Sequence, residues 1–498
     1  MAVVGVAVTG SPLLYVALKL GEAGVADVWS ALARGRTPEL LARSLLLCIT
    51  VALGAVVIGG SQAWLTTRTD LPHARLWATL AAVPLALPSY VLAFAWLTLD
   101  PGLAGWAPTW LVLTVSTAPY AYLTLSAALL RTDGAVEDVA RSLGRGRWQV
   151  LVQVLWPRLR SSVGVAALIT ALYTLSDFGA VSLLRYDTFT RAIYNAYRSS
   201  FDRNLAASLA LVLIAITALL LLWQRRATPE REGRTLRRSQ EPLGRWRRPA
   251  QVLLASWTLL SIGIPLGTLL TWTARGRSAT DWPQVLSALA NSLGLGLLGG
   301  IATTVVAAAV ALMLTHFRGR WAPVITGSVW LAHALPGVVI ALALVYFSNR
   351  LAPALYQTTT LVVIAYVALF TANAVGVLLA PMSQVSSSLL DVARALGHGT
   401  PAVIRRVLLP ILRPSLLMAF ALVMLTSLKE LPATLLLRPT GMDTLATRVW
   451  THTGVSAFAA AAPYALLIVL LGGIPTWLLN TQIRRLQEAP LAQVARQS

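Results

Sequence analysis

Two acidic residues in the apolar part of this chain occupy equivalent places. Asp177 and Glu430 are 253 residues apart, and so are Arg185 and Arg438. Asp177 ends a long apolar stretch and lies about 15 residues past Ser162, or ~22 Å along a helix. If that stretch crosses a bilayer, the carboxylate lies beyond its midplane. An ionisable group at such depth is costly, and its default reading is functional. Two carboxylates from matching positions would offer oxygen ligands to a hard cation and line an outer gate. The competing reading is structural. Lys429 adjoins Glu430 and both arginines are close in sequence, so the carboxylates would form ion pairs between halves or sit in water near the outer surface. Five scattered histidines and the single cysteine, Cys48, make no metal-ligand cluster.

The same offset has a longer carrier. Residues 137–162 read EDVARSLGRGRWQVLVQVLWPRLRSS, and residues 390–415 read LDVARALGHGTPAVIRRVLLPILRPS. Without a gap they share Asp-Val-Ala-Arg, Leu-Gly, a second glycine, and a proline thirteen residues after the first glycine. Apolar side chains recur at i, i+3, i+4 and i+7: Val136, Val139, Ala140 and Leu143 in one copy, Leu389, Val392, Ala393 and Leu396 in the other. That spacing predicts a short amphipathic helix. Gly144 and Gly397 should end it, a second helical stretch should run from Trp148, and Pro157 and Pro410 should mark a turn before the next apolar run. A helix of this kind outside the membrane needs a groove for its apolar face, and docking on a soluble partner is the natural use. A helix lying on lipid is the alternative, but it explains neither the glycine nor the fixed proline.

The elements that position these segments are membrane spans. Hydrophobic residues make up 56% of the 498 and charged residues 12%, against roughly 25% charged in a soluble domain; mean hydropathy is +0.69. Apolar runs of about 20 residues suit a hydrocarbon core of ~30 Å, and the ~10-residue alternation of a barrel is missing. The expected fold is all-α and polytopic. Twelve spans are expected near 2–20, 44–66, 78–99, 108–130, 163–184, 205–223, 250–272, 291–315, 323–347, 359–381, 416–437 and 458–480.

The formal net charge of +21 does not point to nucleic acid, because the arginines are spread among loops between spans. Residues 224–249 carry nine arginines and three glutamates and read as a cytoplasmic linker. With twelve spans both termini lie on the linker's side. The loops then assigned inside hold 26 Lys and Arg and everything else holds 14, which places both repeated segments inside. No cleavable signal peptide is apparent; the N-terminus reads as the first span.

Further matches define two halves. Arg43-Ser44-Leu45 pairs with Asn291-Ser292-Leu293, and Ala86-Leu87-Pro88 with Ala334-Leu335-Pro336, both at offset 248. Six spans per half make the repeats parallel, not inverted. The expected domains are a first repeat over 1–223 with its loop at 131–162, the linker 224–249, a second repeat over 250–480 with its loop at 382–415, and a cytoplasmic tail over 481–498. Pro84, Pro88 and Pro336 should kink helices. His333 should be packed or bonded to backbone, and tryptophans such as Trp64, Trp106, Trp110 and Trp223 should anchor span ends.

The repeated segment resembles the coupling loop of ABC-importer permeases, written E-A-A, three residues, G, nine residues, I-x-L-P. Ala140, Ala393, Gly144, Gly397, Pro157 and Pro410 fit it. Asp138 and Asp391 stand at its acidic position, and Val139 and Val392 replace its first alanine; Arg141 and Arg394 follow in both copies. The resemblance covers nearly the whole chain. Within it, LKELPATLLLRPTGMDTLATRVW (428–450) and SDFGAVSLLRYDTFTRAIY (176–194) are similar to the fused permeases of ferric-iron importers; thiamine permeases are also fused six-plus-six proteins. The resemblance implies an inner bacterial membrane subunit with two ATPase partners, a periplasmic binding protein, and Fe(III) as the transported substrate. A Walker A loop needs Gly-x-x-x-x-Gly-Lys-Ser/Thr, and neither Lys19 nor Lys429 has those neighbours. The chain should therefore be a permease rather than an enzyme, with no cofactor of its own; ATP and Mg would be bound by the partner subunits. A secondary carrier of six-plus-six architecture is the alternative from another class, but it would need no duplicated coupling loops.

Overall fold

The computed structural model describes residues 5, 7–15, 17–18, 21–22, 36–132, 134–198, 203–226, 241–276, 280–316, 322–397 and 399–473. The fold is helical, as composition predicts. Among the described residues, eight helices are long and apolar enough to cross a membrane: Thr37–Arg68, Trp106–Arg131, Trp148–Ser176, Asn204–Leu222, Gly244–Arg275, Trp282–Thr315, Thr359–Gln384 and Pro401–Leu428. Two bent pairs, Ala74–Ala86 with Ser89–Leu97 and Thr326–Ala334 with Gly337–Leu351, bring the count to as many as ten. The expected spans 78–99 and 323–347 are these bent pairs. Of the expected span 458–480, Phe458–Gly473 is an apolar helix and 474–480 lie outside the described residues, as does part of the expected span 2–20.

The bends occur where the prolines predict them. The first pair turns by 91° and the second by 112°. Pro88 and Pro336 precede the second helix of each pair in the same extended conformation, φ −60° with ψ 148° and 143°. A proline there has no N–H to leave unbonded at the new helix start.

At Pro157 and Pro410 the structure departs from the expected turn. The helix runs unbroken from Trp148 to Ser176. It takes a π-helical turn over Leu151–Leu155, and Pro157 follows two residues later. The same arrangement recurs at Ile404–Leu408 with Pro410, and at Leu259–Gly263 with Pro265. A proline deprives a carbonyl one turn back of its donor, and a local π adjustment re-pairs the neighbours without ending the helix.

By its contacts the chain forms two compact units, and neither is one half of the sequence. One comprises 1–35, 192–214 and 281–451; the other comprises 36–191, 215–280 and 452–498. Close packing within each depends on small residues. In the second-named unit, Ala55, Gly59 and Ala63 are spaced four apart on Thr37–Arg68 and are buried. A Cβ on Gly59 would lie 2.5 Å from the Ala118 carbonyl oxygen and 2.7 Å from the Tyr122 nitrogen, so the two backbones are in direct contact. In the other unit Gly299 packs on Tyr366 and Gly300 on Phe420. Small residues at such spacing let membrane helices approach where no hydrophobic force drives them together. Three buried hydroxyls inside the spans are satisfied locally: Thr117, Thr170 and Thr371 each donate to the carbonyl four residues back.

Candidate functional site

The two repeated segments form the helices that their periodicity predicts, Gly134–Ser142 and Ser387–Ala395. Each ends at a glycine in the left-handed region, Gly144 and Gly397, both with φ +81°. Nothing lies within 4 Å of a Cβ built on either, so glycine is needed there for backbone conformation and not for space. The chain then re-enters helix at Arg147–Val150 and Thr400–Val403.

All of the apolar stripe except its alanine faces outward in both copies. Ala140 and Ala393 are buried, each 7% exposed, and mark the side turned towards the protein. Val139, Leu143, Val392 and Leu396 are 58, 75, 60 and 72% exposed. Trp148 is also exposed. These four large apolar side chains, two held out by each short helix and its closing turn, form an exposed apolar face in each copy.

A set of ion pairs behind the first of these helices was not legible in its motif. Asp138, at the motif's acidic position, is half exposed and 3.9 Å from Arg141. Its neighbour Glu137 is the buried one, 1% exposed, and pairs at 2.9 Å with Arg68, itself buried. The Arg68 guanidinium also donates to the carbonyls of Leu129 and Thr132, at 2.8 and 3.0 Å. One cation therefore closes the C-terminal end of Trp106–Arg131, where unpaired carbonyls gather partial negative charge, and anchors the helix that follows. Burial pushes the Glu137 carboxyl above the usual carboxylate range, while Arg68 and then Arg141 pull it back.

Arg141 faces the other way, to the end of the linker. It donates to the Glu241 carboxylate at 2.6 Å. The Glu241 backbone is bonded on both sides to the strand-like end of Thr37–Arg68: its N–H donates to the Arg68 carbonyl at 2.8 Å, and its carbonyl accepts from Asp70 at 3.2 Å. Asp70 accepts from the Leu243 N–H at 2.8 Å and from Arg247 at 2.6 Å. Those two bonds, Leu243 first, hold its carboxyl below the ordinary range. Leu243 and Leu65 pack over a small core of Leu71, Ala250 and Leu254.

The carboxylates of the apolar region take local structural positions. Asp177 accepts from the Ala180 and Val181 N–H groups at 3.0 and 3.4 Å, and so caps the short helix Gly179–Leu183. Its other oxygen accepts from the Ser89 hydroxyl, and Thr190 donates to its carbonyl. Glu430 accepts from the Ala433 N–H at 3.1 Å at the start of Pro432–Leu437. The two arginines differ in spite of their shared offset. Arg185 is left-handed, with φ +53°, and exposed; Arg438 is extended and bonds to the Met442 carbonyl at 2.7 Å and to the Asp443 carboxylate.

The Ser44 and Ser292 match has a structural cause. Ser44 accepts from the Phe189 N–H at 3.3 Å, and Ser292 from the Leu445 N–H at 2.8 Å. Each serine pins the loop that follows its half's acidic residue. His333 bonds to the Leu369 carbonyl at 3.2 Å, in keeping with a backbone-bonded histidine. Among the described residues no group of three or more His, Cys, Asp or Glu is placed to hold a metal ion.

Comparison with known proteins agrees with this doubled architecture. The chain is 36% identical over 479 residues to the Fe(3+)-transport system permease protein FbpB 2 of Haemophilus influenzae, covering 94% of this chain and 95% of that one. Two Escherichia coli proteins match a smaller share. The sulfate transport system permease protein CysT is 27% identical over 42% of this chain and 83% of its own length. The molybdenum transport system permease protein ModB is 28% identical over 39% of this chain and 96% of its own. Residues 74–232 and 300–489 each match one domain type, described as the binding-protein-dependent transport system inner membrane component. With that domain present twice and a full-length relative at this identity, the chain belongs to the family of binding-protein-dependent transport permeases of the inner membrane.

Proposed function

We propose that this chain is the permease of an ATP-driven importer that carries ferric iron across the inner bacterial membrane. A periplasmic binding protein delivers the iron to the outer face, and two separate ATPase subunits, which bind ATP and Mg, drive the cycle. Each ATPase docks on one of the helices Gly134–Ser142 and Ser387–Ala395. The observation that carries this reading is their matched form: both end at a glycine at φ +81° and both hold out a valine and a leucine. Asp138, Ala140, Arg141, Gly144 and Pro157, with Asp391, Ala393, Arg394, Gly397 and Pro410, build these docking segments. Iron as cargo is supported by the full-length likeness to an Fe(3+) permease. The excess of arginine in the loops assigned inside supports cytoplasmic termini, and the two family matches support repeats over 1–223 and 250–480.

ATP-driven closure of the ATPase pair moves the two helices and switches the bundle between inward-open and outward-open states. Asp177 and Glu430 serve in this reading as caps that hold the short helices of the outer region, and not as direct ligands of the iron; their backbone bonds support that role.

The test is ATPase stimulation of the complex reconstituted from this permease, its ATPase subunits and a binding protein. Stimulation by the iron-loaded binding protein, and none by a thiamine-loaded one, is the expected result. Stimulation by thiamine alone would keep the mechanism and overturn the cargo. No stimulation by either in an assembled complex would overturn iron as the driver.

A further inference from the structure

The two docking helices are built alike, but residues that fasten the first are not repeated in the second half. At offset 248, Arg68 corresponds to His316 and Asp70 to Arg318; at offset 253, Glu137 corresponds to Leu390. The register is sound at that point, because Thr67 and Thr315 both donate to the carbonyl four residues back, at 2.7 and 2.9 Å. A leucine cannot pair with a cation, and an arginine cannot accept from a backbone N–H as Asp70 does. By residue type, neither the Arg68–Glu137 pair nor the Asp70 anchor can be reproduced at the equivalent positions of the second half.

The clasp has two linked parts, joined where Arg141 also approaches Glu137 at 3.8 Å. One is the buried Arg68–Glu137 pair, which joins the first helix to the end of two membrane helices. The other is the linker: Glu241 bridges to Thr69 through its backbone and grips Arg141 through its side chain, while Leu243 and Arg247 lock the same segment onto Asp70. The linker residue therefore reaches the docking helix directly.

We infer that Glu241 is a positioning residue: through Arg141, and held in place by Asp70, it fixes the attitude of the first docking helix, so that the two helices respond unequally to the two ATPase subunits. This rests on the docking role proposed above. The first helix moves as one body with the membrane helices behind it, and the second moves with more freedom.

The experiment uses the full permease with its ATPase subunits in nanodiscs. Cys48 is the sole cysteine and is buried, so a C48S background accepts a spin label at S142C or at A395C, the equivalent exposed positions of the two helices. E241R and D70R should loosen the label at 142 and leave that at 395 unchanged. The swap D70R/R247D, which re-forms the ion pair but not the acceptor for the Leu243 N–H, should restore it in part, which loss of folding would not allow. In unlabelled complexes E241R should lower transport per ATP hydrolysed by about threefold with the ATPase subunits still bound, the size of change expected when a coupling element loosens. An unchanged label at 142, or equal loosening at both sites, overturns the inference. The docking role is read separately: L143D and L396D should release the ATPase subunits. Retention of those subunits would sink the docking role, and the label mobilities would still report whether the clasp exists.

Discussion

Glu430 lies directly against Gly337: a Cβ on that glycine would stand 2.6 Å from the Glu430 Oε1. The first half makes the opposite choice. Ser89, at the position of Gly337, has a side chain, and Asp177, at the position of Glu430, is shorter by one methylene and accepts from the Ser89 hydroxyl. The two halves fill one site in two ways, with volume moved between partners 88 and 93 residues apart.

That exchange predicts a rescue. G337S should destabilise the permease by about 1–3 kcal/mol through overpacking, and G337S/E430D should recover most of the loss. S89A, which leaves Asp177 without its hydroxyl donor, should cost about 1–3 kcal/mol. Thermal unfolding of the purified protein measures all three. A double mutant no better than G337S would show that the halves are not interchangeable here.

Arg68 and Glu137 form a buried ion pair, and breaking it from one side leaves a charge with no partner. R68A or E137A should each cost about 3–5 kcal/mol. The pair R68H/E137L, which copies the second half, should cost less than the sum of its single changes, because neither charge is then stranded. Melting temperatures of the four proteins decide it.

Asp70 sets a pH dependence with a definite sign. Its folded carboxyl titrates below the ordinary 3.8, so its hold on Leu243 and Arg247 is fully present above that value. The hold is lost as pH falls through the lower folded value. A spin label at R245C should therefore stay ordered through mild acid and loosen only below about pH 4. In D70N, which keeps an acceptor for Leu243 but loses the charge facing Arg247, it should be looser than in the native chain at neutral pH and no longer respond to acid in this range. Native order in D70N would assign the linker's attachment to Glu241, through its backbone bridge and its pair with Arg141.

Two glycines should fail for different reasons. G59V places atoms against the Ala118 carbonyl, which cannot yield without separating two helices, so folded yield in detergent should collapse. G144A meets no atom and should cost only about 1–2 kcal/mol for a left-handed alanine. Its effect should be read in weaker ATPase co-purification, not in expression.

The docking helices, their terminal glycines and the two proline bends were legible because each depends on local spacing or on a residue with one conformational habit. Glu137 was not. It is adjacent to the acidic motif position, and only its burial against Arg68, 69 residues away, shows which carboxylate is anchored. Pro157 was misread as a turn, because a proline signals a missing donor but does not reveal that a π turn can absorb it. The carboxylates Asp177 and Glu430 suggested a gate by their cost in an apolar region, whereas backbone N–H groups of the next short helix supply their partners. Such groups leave no trace in side-chain identity.

The π turn at Leu151–Leu155 has a consequence for phase. Each residue added to or removed from a helix turns everything beyond it by about 100°. A wide turn is one residue longer than the α turn it replaces, so it sets the angle between the exposed Trp148 and the buried face that begins near Ala166. Deleting one residue between 151 and 155 would give a plainer helix of the same span, with hydrogen bonds no worse than before. The apolar part of the helix would remain in place, and the end that carries Trp148 and Gly144 would point about a quarter-turn away from its present direction.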